Sequence, residues 1–156
     1  MITQKQVKEY LDYNPDTGIF KWKVDRGNTV KHNDIAGTLK DTNYICISIN
    51  NKKYFAHRLA WLYTYGEFPK EQIDHINRIR NDNRICNLRD VNQQINCRNI
   101  SMQINNTSGH KGVSWYKRVD KWVSYIVIDR KYLSLGYFDS IDDAILSREN
   151  AEEKYW

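Results

Sequence analysis

From residue 111 onward, apolar and polar residues alternate so regularly that antiparallel sheet is the simplest structure to satisfy the pattern. Val113 and Trp115, then Trp122, Ser124, Ile126 and Ile128, then Leu133 and Leu135, fall at every second position. Successive side chains of a strand point to opposite faces, so this spacing predicts three strands. Val119-Asp120 and Asp129-Arg130 mark the turns between them. Residues 141–155 read as a helix. Ser140 is placed to cap it, and Asp142 and Asp143 favour its positive N-terminus. The predicted unit is a three-stranded meander backed by one helix. Alternation directs Val113, Trp115, Trp122, Ile126, Leu133, Leu135 and Phe138 against that helix. The opposite face carries Lys111, Ser114, Tyr116, Val123, Tyr125, Val127, Tyr132 and Ser134, with Lys117 and Arg118 at the turn.

The chain before residue 101 is less regular. Residues 4–12 read as a short helix, followed by the turn Asn14-Pro15-Asp16-Thr17-Gly18 and strand-forming residues 19–24. Residues 25–34 are polar and read as a loop. Residues 44–49 and 53–56 are rich in β formers, and Asn50-Asn51 suits the tight turn of a hairpin. Residues 57–65 read as a helix that Gly66 and Pro69 end. Residues 92–100 form a further predicted helix, with Asn92 as its cap. Between these two helices, residues 73–89 are polar and loop-rich. They hold too few apolar side chains for a core of their own, so another part of the chain must keep them rigid.

Length and composition set the outer limits. At 156 residues the chain makes one ordinary domain or two small ones, and 40% hydrophobic content allows only a modest core. No apolar run approaches the roughly 20 residues of a membrane span, and the first residues lack the apolar stretch of a signal peptide. An intracellular protein with no membrane contact is expected. The three cysteines form no Cys-x-x-Cys pair, which argues against a disulfide framework and against structural zinc. The net charge is +5, all of it in residues 1–105. Residues 106–156 balance, but residues 110–131 are basic and those from Asp139 onward acidic, as one would find with a basic sheet and an acidic helix.

Asp74-His75, then Asn83, then Asn87-Leu88-Arg89, then Asn96 lie at spacings that together resemble the HNH nuclease finger. The version in phage homing endonucleases is nearest. The resemblance covers about residues 57–99 and includes a helix that opens His57-Arg58. It implies a ββα-metal fold: an Asp-His pair ending one strand, Asn-Leu-Arg opening the next, and an Asn on the helix. Phosphodiester hydrolysis needs an activated water, a counter-charge for the phosphorane and help for the leaving oxygen. Mg²⁺, for which Mn²⁺ can substitute, prefers oxygen ligands and keeps several waters. Asp74 then supplies the metal-binding carboxylate and Asn96 an amide oxygen. His75, with a pKa near the working pH, takes the proton from water. By the resemblance, Asn87 steadies the finger loop and orients His75. Arg84 and Arg89 are candidates for phosphate contacts. Asp74 and His75 are neighbours on a strand, so they serve one site only if the strand ends or kinks there. His57 reads as structural.

Ser108-Gly109-His110-Lys111-Gly112-Val113, Trp122-Val123-Ser124-Tyr125-Ile126, Leu135-Gly136-Tyr137-Phe138 and Ala144 resemble the Apetala2-type domain, over nearly all of residues 110–156. That family lays its sheet in the DNA major groove. The resemblance makes Lys111, Ser114, Tyr116, Lys117, Arg118, Tyr125, Tyr132 and Ser134 the candidate DNA-binding residues. The plant members use arginines and a tryptophan where this chain mostly has Tyr and Ser, so base preference does not carry over.

The expected fold is α+β. A nuclease domain spans residues 1–100, a linker 101–109 and a DNA-binding domain 110–156. The expected function is one-metal, Mg-dependent cleavage of duplex DNA by a monomer or weak dimer, with no obligate protein partner, in the cytoplasm of a bacterial host. Two rivals remain. One is an inactive HNH-derived DNA-binding protein. The other is an RNA-directed or structure-specific nuclease, which the groove-reading sheet disfavours because the major groove of A-form RNA is deep and narrow.

Overall fold

The structure, a computed structural model, describes residues 1–99, 102 and 105–156. The chain divides into two compact units, residues 1–100 and 101–156. The expected linker at 101–109 falls within the range of the second unit, and its residues 101, 103 and 104 lie outside the described residues.

The N-terminal unit opens with α1 (Gln4–Tyr10). Thr3 and Gln6 form a reciprocal capping box, each side chain bonding the other's backbone N–H. The helix stops at Tyr10, two residues earlier than the sequence pattern predicted. Leu11 and Tyr13 are buried and alternate with exposed Asp12 and Asn14, so the two-residue period wins and β1 (Leu11–Asn14) begins. It pairs antiparallel with β2 (Ile19–Trp22), placing Tyr13 opposite Phe20 with their rings stacked at 4.6 Å. Asn14 organises the turn between them through its side-chain oxygen, which accepts from the N–H of Asp16 and of Thr17.

A three-stranded sheet follows, in the order β3 (Thr38–Leu39), β4 (Ile45–Ile49), β5 (Lys52–Phe55). The sequence pattern gave no sign of the two-residue β3. Asn50 and Asn51 both have positive φ, as the tight hairpin turn requires. Next, α2 (Ala56–Tyr65) buries Ala56, His57, Leu59, Ala60 and Leu62, and ends on Gly66 in the left-handed conformation. Val7, Leu11, Phe20, Ile47, Ile49 and Leu59 are all at most 2% exposed and form the centre of the core.

Two short strands, β6 (Gln72–His75) and β7 (Leu88–Val91), pair antiparallel, with Asp74 opposite Arg89 and His75 opposite Leu88. Asn92 then caps α3 (Gln93–Arg98) by accepting from Ile95 N–H. The expected helix over 92–100 is shorter: Asn99 is its C-cap, and residue 100 is outside the described residues. Ile73 and Leu88 join the core of this unit, so the polar segment is anchored by two side chains on adjoining strands.

The C-terminal unit has β8 (Val113–Tyr116), β9 (Lys121–Ile128) and β10 (Lys131–Phe138) in the order β10-β9-β8, followed by α4 (Ile141–Tyr155). Ser140 caps α4 by accepting from Asp142 N–H at 3.1 Å. Val113, Ser124, Ile126, Ala144 and Ala151 are buried. Two residues assigned to the helix-facing side are less covered than expected: Trp115 is 38% and Leu133 39% exposed. A bulge between Ser134 and Gly136 shifts the β10 register. Gly136 opposes Ser124 and Phe138 opposes Trp122, so the inward parity changes from odd to even along one strand. Arg148, only 4% exposed, donates to Tyr125 O at 2.6 Å and pairs with Glu152.

Candidate active site and sheet surface

The end of β6 carries Asp74 and His75, and their side chains leave the strand in different directions. Asp74 is 6% exposed. Its Oδ2 accepts from Arg89 Nε at 2.8 Å and lies 2.7 Å from Arg89 Nη2. Asn99 Nδ2 donates to both carboxylate oxygens, at 2.9 and 3.0 Å, and to His75 O at 2.8 Å. The Arg89 contacts follow from pairing: Asp74 and Arg89 are cross-strand partners and so share a face.

His75 packs against other partners. Its Nε2 is 3.4 Å from Asn83 Oδ1. Its ring meets His57 edge-on at 5.2 Å and lies 6.0 Å from the ring of Tyr44. Burial lowers its pKa below the ordinary value, against smaller opposing effects of Asn83, Asp74 and Asp82. A buried neutral imidazole can accept a proton, which an imidazolium cannot. His57 is driven further in the same direction, to about 3, by burial and then by His75 and Arg58. Its Nδ1 is buried and has no hydrogen-bond partner among the described residues.

The loop between β6 and β7 is tied across its base. Asn87 Oδ1 accepts from Asn77 N–H at 3.0 Å, and Asn87 Nδ2 donates to Asp82 O at 2.9 Å. Ile76 N–H donates to Asn87 O. Asp82 in turn holds Arg84 through two side-chain bonds of 2.8 and 2.6 Å, and that guanidinium is the largest cause lowering the Asp82 pKa to about 2.

Several expected placements change. Asn96 does not meet Asp74; its Nδ2 donates to Gln72 Oε1 at 2.7 Å, and Asn99, three residues on, meets Asp74 instead. Both residues lie at the end of a short helix, where three residues are nearly one turn. Arg84 and Arg89, assigned to phosphate, are each paired with a carboxylate of the chain itself. Asn87 braces the loop backbone, while the side chain hydrogen-bonded to the His75 ring is Asn83. His57 touches His75 through space, a contact between residues 18 positions apart that no local pattern announces.

The same segment is recognisable by comparison. Residues 54–98 match the family model described as HNH endonuclease. The matched segment runs from the end of β5 through α2, β6 and β7 to the last residue of α3. No match was found among curated proteins or among solved structures.

Next to His75 the candidate ligands are the Asp74 carboxylate and the Asn99 amide bonded to it. Among the described residues no three His, Cys, Asp or Glu side chains gather. A single carboxylate suits a hard divalent cation that keeps most of its own water, but Asn99 turns its Nδ2 to Asp74 while its Oδ1 accepts from Arg78 Nε, so that amide oxygen reaches such an ion only after the side chain rotates.

In the C-terminal unit, cross-strand partners Ser114 and Val123, Val123 and Tyr137, Tyr125 and Ser134, and Val127 and Tyr132 share the sheet face away from α4. Tyr125 and Tyr132 stack at 4.7 Å, and Tyr116 lies 6.1 Å from Tyr137. Tyr132 is 64% and Tyr137 56% exposed. Tyr137 was not among the expected surface residues; the β10 bulge turns it to this face. Lys117 and Arg118 are exposed in the β8–β9 turn and Lys111 is half-buried before β8.

Proposed function

We propose that this chain is a divalent-metal-dependent endonuclease of the phage homing type, hydrolysing phosphodiester bonds of duplex DNA. The observation that carries the reading is a buried His75, with its pKa lowered, adjacent on one strand to the carboxylate of Asp74, inside a segment that matches HNH endonucleases. His75 acts as general base and takes a proton from the attacking water as its oxygen bonds to phosphorus. The P–O3′ bond breaks and the 3′-oxygen takes a proton from water, leaving a 5′-phosphate and a 3′-hydroxyl. Asp74 would hold Mg²⁺ or Mn²⁺ with the amide oxygen of Asn96 or, once its side chain turns its oxygen away from Arg78, of Asn99. When bound, the ion supplies counter-charge for the phosphorane and help for the leaving oxygen. Arg89 would exchange part of its hold on Asp74 for a phosphate oxygen.

The C-terminal unit is the DNA reader in this proposal, an Apetala2-type sheet in the major groove. Lys111, Lys117 and Arg118 contact the backbone, while Ser114, Tyr116, Tyr125, Tyr132, Ser134 and Tyr137 form the contact face. Tyr and Ser give fewer bidentate base contacts than arginine, so sequence choice should be loose. One site per chain cuts one strand per binding event, so a monomer nicks.

A second reading is an inactive DNA-binding protein. It is favoured by the Arg89 and Asn99 donors that occupy both oxygens of Asp74. Incubation of supercoiled plasmid with Mg²⁺ or Mn²⁺, beside EDTA, separates the two. Metal-dependent conversion to nicked circles supports the nuclease. Tight DNA binding, with no cleavage on any of several plasmids, supports the binding protein.

A further inference from the structure

Asn83 is 1% exposed although it lies in a polar loop. Burying an amide in this way costs free energy unless its polar atoms find partners. Its Nδ2 donates to Asn81 O at 3.3 Å, which turns Oδ1 towards His75 Nε2. The backbone of Asn83 is clamped from outside the loop. Tyr13 OH donates to Asn83 O at 2.7 Å, and Ile85 N–H donates to Pro15 O at 3.1 Å. Gly18 has φ +73°, and a Cβ there would lie 2.6 Å from Asn83 C and 2.5 Å from Arg84 N. The β1–β2 hairpin therefore presses directly on the backbone that carries the Asn83 side chain.

We infer that Asn83, held by Tyr13 and the β1–β2 hairpin, is the positioning residue that fixes the ring orientation and tautomer of His75. This rests on the reading of His75 as the base. An amide oxygen only accepts, so the Nε2 facing it must carry the ring proton. The neutral ring then has its lone pair on Nδ1, which becomes the atom that takes the proton from water. The rings of His57 and Tyr44 confine the plane of the His75 ring, but a ring face or edge does not choose which nitrogen is protonated. Asn87, the residue expected to orient His75, spends its amide on Asn77 N–H and Asp82 O. Selecting the wrong tautomer disables a histidine base even when its position is intact.

The test is long-range ¹⁵N–¹H NMR of the histidine rings in the full chain, without metal, at a pH where His75 is neutral. The wild type is expected to show His75 with Nε2 protonated. Asn83→Leu, which keeps the branched shape and removes the acceptor, is expected to give a mixture or the Nδ1-protonated form. An Nδ1-protonated wild type, or an unchanged tautomer in folded Asn83→Leu, overturns the inference. If Asn83→Leu does not fold, the wild-type spectrum alone decides. Under metal, Asn83→Leu is also expected to lower kcat about 100-fold with KM little changed, near the lower end of a general base's contribution. The tautomer is read without cleavage, so a protein that never cuts DNA contradicts the functional reading and leaves this test standing.

Discussion

Arg89 grips Asp74 across the β6–β7 ladder, with Nε 2.8 Å and Nη2 2.7 Å from the same carboxylate oxygen. The carboxylate is almost fully buried, whereas the arginine side chain is 41% exposed. Removing the arginine leaves a buried charge that, among the described residues, keeps the Asn99 amide as its side-chain donor. Breaking a fully buried pair costs roughly 3–5 kcal/mol, and exposed pairs contribute about 0–1 kcal/mol. With one partner half in water, Arg89→Ala is expected to lose about 1–2 kcal/mol in urea unfolding. A loss below about 0.5 kcal/mol would show that water replaces the guanidinium at no cost.

Gly18 sits where only glycine fits. Its φ of +73° and the approach of the Arg84 backbone both oppose a side chain. Gly18→Ala is expected to cost about 1–3 kcal/mol, since it adds backbone strain to a steric conflict that must push the loop away. Thermal unfolding measures the loss. Gly27→Ala is the matched control, because positive φ is present there but an added Cβ would meet nothing within 4 Å among the described residues beyond its chain neighbours.

His57 makes stability depend on pH. Its pKa falls from 6.5 to about 3 on folding, chiefly because it is buried. The unfolded chain therefore binds more protons between these values. The stabilisation is complete above pH 6.5 and is lost as pH falls towards 3. Because His57 Nδ1 has no partner among the described residues, His57→Phe removes an orphaned polar atom and this titration together. The variant is expected to lose less stability than the wild type between pH 6.5 and pH 4 in chemical unfolding. Equal slopes would show that His57 is not buried as a neutral ring.

Lys117 and Arg118 stand exposed in the β8–β9 turn. If both meet phosphates, replacing them with Ala should reduce the slope of log K against log salt by about 2, at roughly 0.9 per phosphate for duplex DNA. Fluorescence anisotropy with duplexes of different sequence should show a similar weakening on each. An unchanged slope would remove the turn from the DNA interface.

What the sequence made legible was local. Asn50-Asn51, Gly66 and Ser140 act through their own backbone conformation or a neighbour's N–H, so their roles as turn, stop and cap could be read from residue type. Leu11 was misread as helix because four residues of alternation are too few to outweigh the helical run before them. The choice between Asn96 and Asn99 was beyond spacing, since both sit within one turn at the end of a six-residue helix. Asn83 could be quoted as part of a motif, but its role depends on Tyr13, 70 positions away. The contact of His57 with His75 and the altered parity along β10 are likewise set by tertiary packing and a bulge.

The central claim is that His75 and Asp74 form a nuclease site, and the most direct test is single-turnover cleavage of a plasmid by wild type, His75→Ala and Asp74→Ala in Mg²⁺. Circular dichroism must first show that each variant is folded. The expected result is metal-dependent nicking by the wild type, slowed at least about 100-fold in each variant, the scale of a general base or of a lost charge-stabilising group. Cleavage by His75→Ala at the wild-type rate would contradict the account.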